Sequence, residues 1–354
     1  MCAEPARLSY DVVMATRNRT DAVALSLPLL VAQTRPPVQI VVVDSSDDQA
    51  PIAAIVADVA ETAPMPVRLV RAAAGLTHQR NVGLTYCAAD VVMFPDDDSL
   101  YHPETAAEIM EIYEVDTAGA IAGVAGRPAE TPPSEVSAKL GRFEAETRGG
   151  RLRRALRDVR QATKEAAWTI HPFLATSRAL SKRFEKPHWL AAEEAIMVPY
   201  LTGFRMSFRR DVIAGIGFDE TLRRYGWFED IDASFGAARH GLLVTANRAP
   251  IYHHRAAEKR DRGHMMGLWA ILNRTYVVMK AVHANPDLFP DPAWEIRRLR
   301  WYSVARAAVY RLMARDTYGR DRARGARDGL ARQARLTAAA PEELPAVYRD
   351  LVGE

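Results

Sequence analysis

"VVMFPDDDSL", residues 91–100, sets three consecutive aspartates against the end of an apolar run. Val91 to Phe94 reads as a short buried strand, with Asp96, Asp97 and Asp98 at its carboxyl end. Adjacent carboxylates repel one another, so such a run needs water or positive charge around it. Two readings compete on this stretch alone. One is a solvated loop leading into a helix cap. The other is a site for a hard divalent cation, which takes oxygen ligands from one or two carboxylates and from substrate phosphates. Asp96 and Asp98 project to the same side of an extended segment, so both can reach one ion or its waters.

Working outward, the same apolar-run pattern recurs in "YDVVMAT" (10–16), "VQIVVVD" (38–44), "VRLV" (67–70) and "AIAGVAG" (120–126). Helix-period segments lie between them, over about 20–33, 49–61, 77–88 and 103–115, with Asp21 and Pro103 where helix starts favour them. Strands buried on both faces and separated by helices predict an α/β fold with a mostly parallel sheet. Ligands of such sheets bind beyond the carboxyl ends of the strands. That edge collects Thr16, Arg17 and Arg19 after the first strand, Asp44 after the second and Asp96 to Asp98 after the fourth. The turn "TRNRTD" after the first strand has no glycine, which excludes a dinucleotide fingerprint, and no Walker sequence is present.

Composition narrows the class further. The 354 residues are 48% apolar and carry a net charge of +3, too small to argue for nucleic acid. Cys2 and Cys87 form no disulfide framework and no metal-ligand spacing, which suits a reducing, cytoplasmic setting. The amino-terminal residues show no signal-peptide pattern and no run approaches a membrane span, so membrane contact is expected to be peripheral, on the inner face of the plasma membrane.

Further stretches carry candidate chemistry. "GLTHQRNVGL" (75–84) opens a helix with His78, Arg80 and Asn81 in its first turns; helix N-termini and guanidinium groups favour phosphates, although a capped helix with a surface arginine has the same look. "GWFEDIDASF" (226–235) puts Glu229 and Asp230 at a helix start, where acids also serve simply to complement the helix dipole. "PIYHHRAAEKR" (250–260) brings His253 and His254 after a short strand; adjacent side chains face opposite ways, so one of them at most joins a given site.

Taken in order, "VVMATRNRTD", "VVVDSSDD", "GLTHQRNVGL", "FPDDDS" and "TGFRMSFRRDVIAGIGFDETLRRYGWFEDIDASF" resemble the inverting nucleotide-sugar glycosyltransferases classed as family 2, over about residues 10–125 and 200–280. The resemblance implies a GT-A fold, a Rossmann-like mixed, mostly parallel sheet flanked by helices, here with a helical C-terminal extension. It implies a donor site of Asp44, Thr16, Arg19, Arg80, Asp96 and Asp97. It also implies a Mn2+ or Mg2+ site of Asp96 and Asp98 with a histidine, His254 fitting the spacing better than His253. Asp230, paired with Glu229, becomes the general base. Gly203 falls beneath the donor sugar or on the acceptor side, and Trp227 is placed to stack an acceptor ring or to fill the core. The implied partners are a UDP-, GDP- or dTDP-linked donor and a glycan or lipid-linked acceptor.

The corresponding division of the chain is 1–125, the nucleotide-sugar half; 126–190, an insertion with acceptor-recognition helices; 191–285, the acceptor and catalytic half; and 286–354, the extension. The insertion holds "RPAETPPSEV" and then a basic helical run, with Glu193 and Glu194 after it as candidate acceptor contacts. From Arg297 to Arg335 the extension has twelve arginines against three aspartates. Trp301, Val304, Ala305, Ala308, Val309 and Leu312 share one helical arc, with most arginines expected opposite. That pattern suits an anionic membrane surface, or packing against the catalytic domain or a second copy in a homo-oligomer. No nucleic-acid-binding module accompanies the charge. Two rival functions use similar parts: a sugar-phosphate nucleotidyltransferase, and a non-catalytic carbohydrate-binding scaffold of the same fold.

Overall fold

The computed structural model describes residues 7–137, 171–222, 227–254 and 263–353. The chain forms two compact units, one of residues 1–137 with 181–258 and the other of 138–180 with 259–354. The basic helical run expected within 138–170 lies outside the described residues.

Among the described residues, all the strands lie in the first unit. β1 (Tyr10–Thr16), α1 (Thr20–Val31), β2 (Ile40–Asp44), α2 (Ala50–Thr62), β3 (Val67–Arg71), α3 (Leu76–Leu84) and β4 (Val91–Phe94) alternate as the apolar runs predict. Then come β5 (Ser99–Tyr101), α4 (Thr105–Val115) and β6 (Ile121–Pro128). The remainder of the unit holds β7 (Ala195–Met197), β8 (Met206–Arg209), α6 (Arg210–Ile216), α7 (Glu229–Ala237) and β9 (Leu242–His253), while α5 (Pro172–Ser181) belongs almost wholly to the second unit. The sheet runs β3-β2-β1-β4-β8-β6-β9-β5, with β7 paired to β9. β1, β2, β3 and β4 pair in parallel, whereas β8 runs antiparallel to both β4 and β6. The sheet is therefore mixed, with its parallel half at the amino-terminal end. Val41, Val42 and Val43 are fully buried because helices cover both faces there. Tyr10, Met14, Leu27, Met93, Tyr113 and Val124 carry the core.

Three features of this unit aim the ligand edge. Gly83 lets α3 ride directly on β1, since a Cβ there would strike Val13. The aspartates are not the end of a strand followed by a helix: residues 95–98 link β4, inside the sheet, to β5 at its far edge. "SLY" is too short to announce itself as a strand. β5 pairs antiparallel with β9, Ser99 opposite His253. β9 is also longer than the short strand expected before the histidines, twelve residues with a register irregularity where it leaves Gly126 for Arg127.

The described residues of the second unit are largely helical, with α8 (Gly263–His283), α9 (Pro292–Leu312), α10 (Thr317–Thr337) and α11 (Leu344–Val352) following α5. α8 and α10 meet backbone to backbone. Gly263 and Gly267 on one, Gly325 and Gly329 on the other, leave no room for side chains; a Cβ at Gly325 would run into the His264 carbonyl, and one at Gly267 into that of Arg322. Buried Gln333 ties three helices together, its Nε2 donating to Thr275 Oγ1 at 2.9 Å and Ser303 Oγ at 3.0 Å. In α9 the buried side is Leu299, Ser303 and Tyr310, and the arc of Trp301, Val304 and Leu312 faces away from it. The arginines do not sit opposite that arc as expected. The opposite side packs, so exposed Arg297, Arg300 and Arg311 lie along the arc's flank.

Candidate active site

The carboxyl ends of β1, β2 and β4 bring the acidic residues together, as the sheet rule requires. Arg19 faces two of them, Nη1 at 2.7 Å from Asp97 Oδ1 and Nη2 at 2.7 Å from Asp98 Oδ2. Thr16 Oγ1 donates to Asp97 Oδ2 at 2.8 Å. The repulsion within the aspartate run is thus met by a built-in cation and a hydroxyl donor. Asp44 is fully buried; Oδ1 accepts from the Ser46 amide and hydroxyl, while Oδ2 has no hydrogen-bond partner. A buried unsatisfied acceptor at a ligand edge fits a hydrogen-bond donor brought by a ligand.

Arg80 does not face outward toward a phosphate. It is 1% exposed, and its two terminal nitrogens donate to Glu229 Oε1 and Asp96 Oδ1, each at 2.9 Å. Its guanidinium lies over the Phe218 ring, 5.3 Å from the centroid. One side chain on α3 therefore binds the aspartate run to the start of α7. Its neighbours brace the same approach: Asn81 exchanges two hydrogen bonds with the Phe218 backbone, and His78 and Asn81 both contact Glu220. Gln79 joins the carbonyls of Thr16 and Val43, locking β1 to β2 at the ligand edge.

Glu229 and Asp230 open α7 behind Phe228, which adopts a left-handed φ of 78°. Such strain for a bulky residue persists only where the surroundings fix it, and it gathers at functional sites. Asp230 Oδ2 accepts from the Gly203 amide at 2.9 Å. Gly203 begins a tight turn over Gly203–Arg205, ahead of the strand rather than on it. Trp227 stacks on Phe228, centroids 4.9 Å apart. Glu193 lies 3.9 Å from Arg248, and exposed Glu194 takes a left-handed φ of 52°.

Of the two histidines, His253 is the one that converges. Its Nε2 lies 3.3 Å from Asp98 Oδ1, and its ring stacks on Phe204 at 4.5 Å and 9°. His254 instead contributes its backbone amide to the Asp98 carbonyl. The preference for His254 is therefore reversed. It is the pairing of Ser99 with His253 that decides which imidazole meets the aspartates. Candidate ligand atoms of Asp96, Asp98 and His253 fall within 4.8 Å of one another. Two carboxylates and an imidazole are a donor set that a divalent cation can accept.

Electrostatics separates the acids. Burial opposes ionisation of Asp98, but His253 and Arg19 outweigh it and hold the carboxyl at about 2. Burial pushes Asp97 up to about 7, against Arg19 and Thr16. Burial likewise raises Asp96 and Asp230, and raises Glu229 with help from neighbouring Asp230. Asp98 is thus the one carboxyl of the cluster held low, while Arg80 lies between two raised ones, Asp96 and Glu229.

A family model described as Glycosyl transferase family 2 matches residues 11–212, more than half of the chain. The chain belongs to glycosyl transferase family 2. The match covers all of the aspartate site and stops before Asp230 and His253. Solved structures similar to this family 2 glycosyltransferase share its GT-A architecture. A mannosyltransferase from Pyrobaculum calidifontis, solved with GDP-Man and Mn2+, aligns over 99% of this chain and 87% of its own at 17% identity and a TM-score of 0.51. The S. aureus TarS fragment 1–349 aligns over 98% and 90% at 13% identity and a TM-score of 0.50. GalNAc-T7, solved with UDP, GalNAc and Mn2+, aligns over 79% of this chain but 48% of its own, at 12% identity and a TM-score of 0.50. No curated protein matches the sequence.

Sequence reasoning missed Phe204, Gln79, Glu220 and the inward role of Arg80. The first three act through ring stacking, bonds to backbone carbonyls and side-chain pairs with residues distant in the chain, and these leave no pattern in a single sequence.

Proposed function

We propose that this family 2 glycosyltransferase is an inverting, metal-dependent enzyme. It moves a sugar from a UDP-, GDP- or dTDP-linked donor to an acceptor hydroxyl in polysaccharide, glycolipid or glycoprotein glycan synthesis. The observation that supports this reading most is Arg80, whose single guanidinium spans Asp96 on the donor side and Glu229 beside the base. A cation-binding acid and a proton acceptor so close together suit attack on a sugar held between them.

In this reading Asp96, Asp98 and His253 would hold a divalent ion, which would supply positive charge to the leaving diphosphate. Asp44 offers Oδ2 to the nucleoside, and Thr16, Arg19 and Asp97 border the donor. Asp230 is the base: Glu229 is tied to Arg80, whereas the Asp230 carboxylate is only half-buried and is oriented by the Gly203 amide. It takes the acceptor hydroxyl proton as the new oxygen–carbon bond forms and the bond to the diphosphate breaks, inverting the anomeric centre. Desolvation, with the charge of Asp96, raises the Asp230 carboxyl above the ordinary carboxylate range and so makes its carboxylate a stronger base. Trp227 and Gly203 lie on the acceptor side, residues 1–125 serve the donor, 191–285 the base and acceptor, and 126–190 acceptor recognition.

The test is transfer and donor hydrolysis with a panel of nucleotide sugars, with and without Mn2+. Asp230→Asn is expected to lower kcat by roughly 10²–10⁴-fold while the nucleotide with Mn2+ still raises the thermal midpoint. Turnover unaffected by Asp230→Asn rules out this base. Pyrophosphate release from a sugar phosphate and a nucleoside triphosphate would replace the reading with nucleotidyl transfer.

A further inference from the structure

Exposed large apolar side chains are concentrated in one place. Of eleven among the described residues, six lie between Trp294 and Met313. Trp301 is 74% exposed and Leu312 84%, with Trp294, Val304, Val309 and Met313 beside them on α9 and its carboxyl end. Contiguous exposed apolar surface of this kind marks an interaction site rather than ordinary scatter. The helix cannot turn this face inward, because its other side is committed through Leu299, Ser303 and Tyr310.

Charge identifies the occupant. Residues 296–315 contain six arginines and no acid. Arg300, Arg311 and Arg315 are exposed and form no ion pair with a described residue, while Arg297 reaches Asp291 at 3.5 Å and lies over Trp294 at 5.6 Å from the ring centroid. An apolar stripe edged by tryptophans and exposed guanidinium groups, those of Arg300 and Arg311 without an ion pair among the described residues, matches the boundary of an anionic bilayer, where the stripe enters the acyl region and the arginines meet headgroup phosphates. A two-fold dimer through the same face would set like-charged flanks against each other. No helix among the described residues is long and apolar enough to cross a membrane, so the contact lies in the interface plane. We propose that α9 docks the protein on an anionic lipid surface through Trp301, Val304 and Leu312, with Arg297, Arg300 and Arg311 reading the negative headgroups. This docking is independent of the transfer chemistry.

The experiment is flotation of the full chain with vesicles of phosphatidylcholine alone or with roughly 30 mol% phosphatidylglycerol. Binding to the anionic vesicles, absent for the neutral ones, is expected. An arginine at such a surface contributes about fivefold, so Arg300→Gln with Arg311→Gln should weaken partitioning about 30-fold. Trp301→Glu with Leu312→Glu should lower it at least about tenfold, because buried apolar area is the other contribution. Circular dichroism and transfer activity unchanged in these variants will show that the fold is kept. Brominated lipid gives a reading that needs no disruptive variant: it should quench wild-type tryptophan emission more than that of Trp301→Phe. Absence of binding to anionic vesicles overturns the proposal, as does equal binding by all variants. A dimer that Trp301→Glu dissociates, with no lipid binding, reassigns the face to a second copy.

Discussion

Arg19 is the residue whose position most shapes the candidate site, because it occupies the charge that a cation would take. Its ion pairs with Asp97 and Asp98 lower the cost of three adjacent acids, yet each opposes the arrival of a divalent ion. Arg19→Ala should therefore bind free Mn2+ about tenfold more tightly in the absence of nucleotide, about 1.4 kcal/mol, as measured by the loss of the free-ion signal in electron paramagnetic resonance. Unchanged affinity would mean that Arg19 stays paired in the loaded site. The two neighbours it bridges respond to pH in opposite senses. Asp98 sits at about 2 against an ordinary 3.8, so its contribution to stability is present above about 4 and lost as pH falls toward 2. Asp97 is raised to about 7, so its contribution is present below about 4 and lost as pH rises toward 7. Urea unfolding free energies from pH 4 to 7 should fall less steeply with pH in Asp97→Asn than in the wild type.

At the scale of elements, close approach is the recurring device. At Gly267 and Gly325 the α8–α10 contact is backbone against backbone, so alanine at Gly325 must push the helices apart rather than displace a flexible group. Gly325→Ala is expected to cost about 3 kcal/mol in urea unfolding. Gly215→Ala, where a Cβ meets nothing within 4 Å, should be neutral or stabilising by up to about 1 kcal/mol. The two substitutions are chemically the same, so the difference isolates packing. Elements also show how far the sequence could be read. β1 and β4 begin and end where the apolar runs do, because a strand covered on both faces needs an unbroken apolar stretch. β5 was invisible: three residues cannot establish a period, and what holds them is the pairing with β9. The aspartates, Glu229 and Asp230 were legible as charges concentrated in short motifs. The selection of His253 over His254 was not, since it depends on the register of two distant strands, and the burial of Arg80 depends on Glu229, 149 residues away.

At the scale of the whole molecule, the two units carry different surfaces: the first a ligand edge of buried and bridged acids, the second an exposed apolar arc with exposed arginines. Neither could be exchanged for the other by composition, since the net charge of +3 hides both. The pairing that puts His253 beside Asp98 has a further consequence, in time rather than in space. It joins segments separated by more than 150 positions in the chain, and contacts of such long separation are costly to close early in folding. An ion held there would find no completed site until most of the sheet had assembled. Added Mn2+ should accordingly leave the refolding rate nearly unchanged and slow unfolding, the behaviour of an interaction absent from the transition state. Stopped-flow chevrons with and without Mn2+ would show the unfolding limb lowered and the folding limb superimposed. The cation would then act as a latch on a structure already built, setting how long the fold persists rather than how fast it forms.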